Sequence, residues 1–313
     1  MSHAPVPVLP DTLEAIPWTP AARKGLADST LKAYAADSKV FGDWARARGF
    51  VTLLPATPEM VAQFLEAQGA ARKSVATIRR YAATLSKLHK AACLPNPIET
   101  QFVVMTLRGL ARELGTQQRQ AHGITQREAD RICARLGDRL KDFRDAALVL
   151  VGRDLLARSS ELIALHVEDV TPTQDGALVE MRRKKTSTEQ VTYFVGAEAA
   201  KALDVWLRRA RITRGLVFRS INRGGRVSER ALAIQDVGRL LKAAAATGRL
   251  ENGAAVSGHS LRVGMAQDLV DSNVDLASVM QAGGWQSPRM VARYSSKIVA
   301  RRGAVAQYHR KRG

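Results

Sequence analysis

The feature that most restricts how this chain can fold is a break in its pattern. Between Gly115 and Gly123 the sequence Gly-Thr-Gln-Gln-Arg-Gln-Ala-His-Gly loses all apolar periodicity, while helix-period patterns run on either side of it. The break reads as a linker, and 313 residues at roughly 150 per domain agree with two domains. We place these at 21–117 and 118–313. Residues 1–20 carry Pro5, Pro7, Pro10, Pro17 and Pro20 and read as a flexible N-terminal arm.

From Asp28 to about Leu114 the pattern is helical, with turns expected at Gly49, Pro55–Pro58, Gly69 and Pro95–Pro97. Asp28-Ser29-Thr30 offers an N-cap for a helix toward Arg48, and Ser74 caps the next clear one. There Val75, Ile78, Ala82, Leu85, His89 and Ala92 make an apolar stripe, and Arg79, Arg80, Ser86, Lys87 and Lys90 make a basic face. Simple solvation is the plain alternative for such a face. After the linker, Gln126 to about Leu156 reads as helical. Leu178–Val195 has β-rich flanks around a polar, lysine-bearing centre, which signals a hairpin. Helical patterns return near Ala197–Arg211, Glu229–Ala246 and Ser260–Val270. The expected fold is mainly α with a small antiparallel β-sheet in the C-terminal domain.

Charge narrows the partners. Lys and Arg number 48 against 29 Asp and Glu, a formal net charge of +19, which no fold requires and which points to a polyanion. The excess is spread over both parts, +5 before Gln118 and +14 from it onward, as in a two-domain clamp around one polyanion. Cys93 and Cys133 are the only cysteines, too few for a disulfide framework or a structural zinc site, so a reducing cytoplasm is expected. No apolar run reaches the eighteen or so residues of a membrane span, and the N-terminus lacks the pattern of a secretory signal.

No phosphate-binding GxxxxGK[ST] loop, no GxGxxG and no HExxH is present, and no set of carboxylates stands out as a metal cage. Phosphodiester chemistry in such a chain would need arginines for the phosphate oxygens, a nucleophile and a proton donor. Three stretches carry such groups. Arg158 and Glu161 are spaced i, i+3 near a helix start, as a surface ion pair also would be. His259 and Arg262 have the same spacing after Ser257-Gly258, and a structural pair is the plain alternative. Gly283-Gly284-Trp285 is followed by Ser287-Pro288 and then Tyr294, a tyrosine that amphipathic packing would equally explain.

Taken together and in order, Arg158, Lys185, His259-x-x-Arg262, Trp285 and Tyr294 resemble the signature of the tyrosine site-specific recombinases, the phage integrase family. The resemblance is densest in Val-Ser-Gly-His-Ser-Leu-Arg-Val-Gly (256–264) and in Val279–Tyr294, and extends more weakly to Ala76–Pro97. It implies a two-domain, C-shaped DNA clamp that cuts and rejoins DNA strands through a covalent 3′-phosphotyrosine, without metal, ATP or other cofactor. Tyr294 would be the nucleophile. Arg158 and Arg262 would clamp the phosphate, Glu161 would support Arg158, and His259 and Trp285 would line the site. Lys185 would protonate the leaving 5′ oxygen, with Lys184 its close rival.

For DNA contact the resemblance points to Arg79, Ser86, Lys87 and Lys90 in the first domain and to Arg219, Arg223, Arg226 and Arg230 in the second. Arg230 is expected on a helix, Ser228–Leu232, entering a major groove. The apolar residues Ala304, Val305 and Tyr308 would dock a C-terminal helix onto a neighbouring protomer, although the tail His309–Arg312 is basic. The implied partner is double-stranded DNA with an inverted-repeat site, bound by a homotetramer whose free subunit is a monomer, in the nucleoid-bearing cytoplasm with no membrane contact. A type IB topoisomerase, a telomere resolvase and a non-catalytic DNA-binding protein are the rival readings.

Overall fold

Three hydroxyl side chains set helix starts in the N-terminal half. Thr57, Ser74 and Thr100 accept hydrogen bonds from the N–H groups of Met60, Thr77 and Val103 at 3.2, 3.2 and 3.5 Å, satisfying donors that a helix start leaves orphaned. The computed structural model describes residues 25–50, 53–117, 120–181 and 191–310. The chain divides into two units, Met1–Arg119 and Gln120–Gly313.

Unit 1 holds helices α1 (Asp28–Arg46), α2 (Pro58–Ala70), α3 (Val75–Ala91) and α4 (Gln101–Leu114). Their core is aromatic: Phe41, Trp44, Phe64 and Tyr81 are buried and meet in stacked, edge-on and tilted pairs. Asp28 does not cap α1; it is the first helical residue, and Ala27 holds the cap position without a side-chain bond. Gly69 is no turn either. It lies inside α2, where a Cβ would meet a Leu110 methyl at 2.6 Å, so its bareness lets α2 and α4 approach. The stripe on α3 is buried as its spacing predicts, except Ala92, which is the C-cap and only half-buried.

Unit 2 begins with α5 (Gln126–Cys133) and α6 (Leu140–Asp154). The single helix expected over Gln126–Leu156 is thus two helices, separated by residues 134–139 around Gly137. The short helix α7 (Ser159–Leu162) follows, then a three-stranded antiparallel sheet of β1 (Val170–Thr173), β2 (Gly176–Met181) and β3 (Val191–Gly196). The expected hairpin is β2–β3, with Leu178 opposite Phe194 and Met181 opposite Val191. Helix α8 (Ala197–Ala210) packs against α6 over the fully buried Trp206, whose indole N–H donates to Val217 O at 2.9 Å.

A second, two-stranded sheet pairs β4 (Arg219–Ile221) with β5 (Val227–Ala231). This corrects the sequence reading: Ser228–Ala231 is strand, and the helix expected from Glu229 begins only at Ile234, as α9 (Ile234–Thr247). Helices α10 (Ser260–Asp271), α11 (Leu276–Gly283), α12 (Pro288–Arg302) and α13 (Ala304–Arg310) complete the unit. Where the chain enters it, Ile124 N donates to Ser260 O at 2.9 Å, and Ile124 O accepts from the buried Arg153 guanidinium. Gly264 of α10 faces that carbonyl so closely that a Cβ would lie 1.9 Å from it.

Candidate active site

Just past the end of α6 a left-handed residue, Leu156 (φ 43°), turns the chain so that Arg158 takes the cap position of α7. Glu161 accepts from the Arg158 backbone N–H at 2.8 Å with one carboxylate oxygen and from the Arg158 guanidinium with the other. The Glu161 carboxylate is nearly buried and Arg158 faces solvent on one side. The carboxylate therefore fixes the direction in which the guanidinium is offered.

The next residue joins this turn to a distant one. Ser159 Oγ donates to Gly258 O at 3.1 Å, an approach that works because residue 258 has no Cβ: one there would fall 2.3 Å from Ser159 Oγ. His259, immediately after, is exposed and caps α10, with its N–H on Ser257 Oγ at 3.2 Å. One turn into α10, Arg262 is only 3% exposed. Its guanidinium donates to Leu156 O and to Gly283 O, both at 2.6 Å, and lies 4.2 Å from the centre of the Trp285 ring. That ring lies against Gly283, whose missing Cβ leaves its place: one added there would be 2.0 Å from the indole. A left-handed Gly284 (φ 63°) turns the chain out of α11 to present Trp285.

Trp285 in turn meets Tyr294 edge-on, with centroids 5.9 Å apart and planes at 62°. Tyr294 is half-buried on α12, a helix begun by Ser287 and Pro288. The structure thus brings Arg262, Trp285 and Tyr294 into one run of side-chain contacts, and the Arg158–Glu161 turn and His259 adjoin it through the Arg262 bond to Leu156 O and the Ser159 bond to Gly258 O. A guanidinium over an indole face, next to a phenol, forms a cationic and partly desolvated setting suited to an anion. Lys185 and Lys184 fall among residues 182–190, outside the described residues, between the paired ends Met181 and Val191.

Among the other candidates, Arg79, Lys87 and Lys90 are exposed on α3, with Lys90 Nζ 2.7 Å from Glu99. Ser86 is half-buried and accepts from Asn96 Nδ2 at 2.8 Å. Arg80, counted on that face in sequence, is instead paired with Asp37, a buried carboxylate that also accepts from Thr84 Oγ1 at 2.9 Å. Arg223, Arg226 and Arg230 are exposed on the β4–β5 hairpin, Arg230 on a strand and not on the expected helix. Arg219 folds back onto Leu216 O at 2.8 Å and onto Arg214 O. In the C-terminal helix Ala304 is the first residue of α13, and Val305 and Tyr308 are 72% and 55% exposed.

Two polar groupings escaped the sequence reading. Arg153 is 1% exposed and bonds Gln126 Oε1 at 3.1 Å and Asp268 Oδ2 at 2.8 Å; a charge inside the apolar run Ala-Leu-Val-Leu-Val-Gly-Arg was its signal. Gln267 donates from Nε2 to the backbone oxygen of Tyr294 at 3.0 Å, and nothing in its spacing marks it. Burial pushes the Cys133 thiol up to about 11, which makes it inert as a nucleophile. Among the described residues, no three His, Cys, Asp or Glu side chains gather as metal ligands, and no helix is long and apolar enough to cross a membrane.

Residues 122–300 match the phage integrase family, and residues 21–94 match the phage integrase N-terminal SAM-like domain. The chain is 34% identical to an integrase/recombinase XerD homologue of Selenomonas ruminantium, over 87% of this chain and 82% of that protein. It is 28% identical to recombinase Cre of Escherichia phage P1, over 81% and 80% of the respective chains. Its fold resembles XerH recombinase bound to a palindromic difH substrate (TM-score 0.66, 19% identity, 91% of this chain and 81% of that one). It also resembles lambda integrase as a tetramer on a Holliday junction (TM-score 0.59, 16% identity, 88% and 73%). With the family match spanning more than half of the chain, this protein belongs to the phage integrase family of tyrosine-type site-specific recombinases.

Proposed function

We propose that the protein cuts and rejoins double-stranded DNA at a specific inverted-repeat site through a covalent 3′-phosphotyrosine at Tyr294. The Tyr294 phenol oxygen attacks the scissile phosphorus as its proton passes to a base, with His259 assisting. The bond from phosphorus to the 5′ oxygen breaks, and that oxygen takes a proton from Lys185. A free 5′-hydroxyl of another strand then attacks the phosphotyrosine, reforming a phosphodiester and returning the phenol.

Arg158, oriented by Glu161, and Arg262 neutralise the charge that grows on the non-bridging oxygens, and Trp285 walls the site. A free phenol has a pKa of about 10, so two guanidiniums beside the phosphate favour the developing anion. Because one phosphoester is exchanged for another of similar energy, the cycle balances without ATP, a metal or any other cofactor.

In this reading residues 21–117 bind the DNA half-site through Arg79, Ser86, Lys87 and Lys90. Residues 118–313 carry the chemistry, with Arg219, Arg223, Arg226 and Arg230 on the DNA and residues 1–20 as an arm. The free monomers assemble as a tetramer on paired sites in the nucleoid, each docking its Ala304–Val305–Tyr308 helix onto a neighbour. The palindromic substrate of XerH and the tetramer of lambda integrase support that assembly.

The observation that carries the proposal is the Arg262 guanidinium, which spans Leu156 O and Gly283 O beneath the Trp285 ring and so gathers the separate motifs at one point. A library of nicked, end-labelled duplexes tests it. Wild-type protein is expected to trap its target covalently through the 3′ side of the cut, and Tyr294→Phe to trap none. Adducts formed by Tyr294→Phe would refute the assignment. Relaxation of plasmids lacking any target would make the enzyme a topoisomerase.

A further inference from the structure

We propose that Gln267 is a positioning residue for Tyr294, setting the nucleophile's place through the backbone of α12 while its own amide is held by the segment that enters unit 2. The inference rests on the reading of Tyr294 as the nucleophile. Gln267 is half-buried on α10, and its Nε2 donates to Tyr294 O at 3.0 Å. A carbonyl inside a helix already serves the N–H four residues on. The amide therefore adds a lateral bond at the one residue whose side chain must meet the phosphate.

The carboxamide is confined from behind. A Cβ on Gly123 would lie 2.3 Å from Gln267 Oε1 and 2.9 Å from Gly264 N, so the chain passes there with room for hydrogen alone. Gly123 cannot drift, because His122 N donates to Ala255 O at 3.0 Å and Ile124 N to Ser260 O at 2.9 Å. Farther along, Arg302 ties the end of α12 to Asn273 Oδ1 and Asp271 Oδ1, each at 2.8 Å. Helix α12 is thus held to α10 at two levels, and Gln267 supplies the one at Tyr294.

Displacing a reacting atom by about 1 Å can cost on the order of a hundredfold in rate, and loss of one lateral bond permits a fraction of that shift. We expect Gln267→Met, which keeps the length without the donor, and Gln267→Leu, which keeps an uncharged branch without it, each to slow adduct formation about tenfold. The measurement is single-turnover formation of the Tyr294–DNA adduct on a nicked duplex, with Kd for the same duplex and Tm recorded alongside. Replacing the leaving 5′ oxygen by sulfur should leave the slowing in place, since that substitution relieves only the need for a proton donor. Kd and Tm should stay at their wild-type values. Wild-type adduct rates in both variants, or a rate loss matched by a rise in Kd and a fall in Tm, would overturn the proposal while leaving Tyr294 the nucleophile. Absence of an adduct in the wild-type protein would instead overturn the reading beneath it.

Discussion

Replacing Arg262 by lysine preserves the charge and removes the fork, which makes it a sharp probe of the joint that holds unit 2's motifs together. Arg262 reaches Leu156 O and Gly283 O, both at 2.6 Å, from one planar group that is 3% exposed. A charged donor bonded in a buried site contributes about 1.5–3 kcal/mol, and a buried acceptor stripped of its partner costs about 1–3 kcal/mol. An ammonium on the shorter, single-ended lysine stem lacks the fork that reaches both carbonyls from one plane, and it retains its attraction to the Trp285 ring. The net loss should therefore be about 3 kcal/mol. For a unit of this size that amounts to a fall of roughly 6–12 °C in Tm, read by calorimetry or by near-ultraviolet circular dichroism. A fall of less than about 2 °C would mean that the two bonds are replaced at no cost and that the joint does not depend on the guanidinium's shape.

Three further outcomes are expected. His89 is fully buried, with Nε2 accepting from Ala56 N at 3.0 Å and Nδ1 donating to Leu85 O at 2.8 Å, and burial holds its pKa below the usual value. The unfolded chain then binds a proton below about pH 6.5 that the folded chain refuses, so stability is full above that pH and falls below it by up to about 1.4 kcal/mol per unit. Urea midpoints of wild type and His89→Gln should converge between pH 7.5 and 5, and parallel curves would refute the buried neutral ring. Gly264→Ala should cost about 3 kcal/mol or more, since its Cβ would fall 1.9 Å from Ile124 O; an unchanged melting curve would contradict the close approach. Iodoacetamide at pH 8 should label the exposed Cys93 and spare Cys133, whose thiol is pushed up to about 11, a difference that peptide mass mapping reads directly.

Where local chemistry and tertiary demand agreed, the sequence was readable. Ser74 caps α3 as expected, the β2–β3 hairpin spans the predicted segment, and Val75, Ile78, Ala82, Leu85 and His89 are buried together. The failures lie where pairing partners were remote or propensity misled. Ser228–Leu232 was expected as helix, yet Asn222–Gly225 turns the chain so that Val227–Ala231 pairs with Arg219–Ile221. Residues 126–156 looked continuous because the apolar spacing carries on through the interruption around Gly137. In the candidate site, residue types and order were visible, but bonds such as Gln267 to Tyr294 O join a side chain to a backbone atom and leave no mark on spacing.

The pairing of Arg80 with the buried Asp37 and of Lys90 with Glu99 has a consequence for ion release. A polyanion lying along α3 would shed condensed counterions only against cations not already neutralised by a neighbouring carboxylate. Of Arg79, Arg80, Lys87 and Lys90, only Arg79 and Lys87 have no carboxylate partner among the described residues. The helix should thus add about two ions, in place of four, to the slope of log affinity against log salt, and its remaining grip would come from shape and hydrogen bonds that ionic strength scarcely touches.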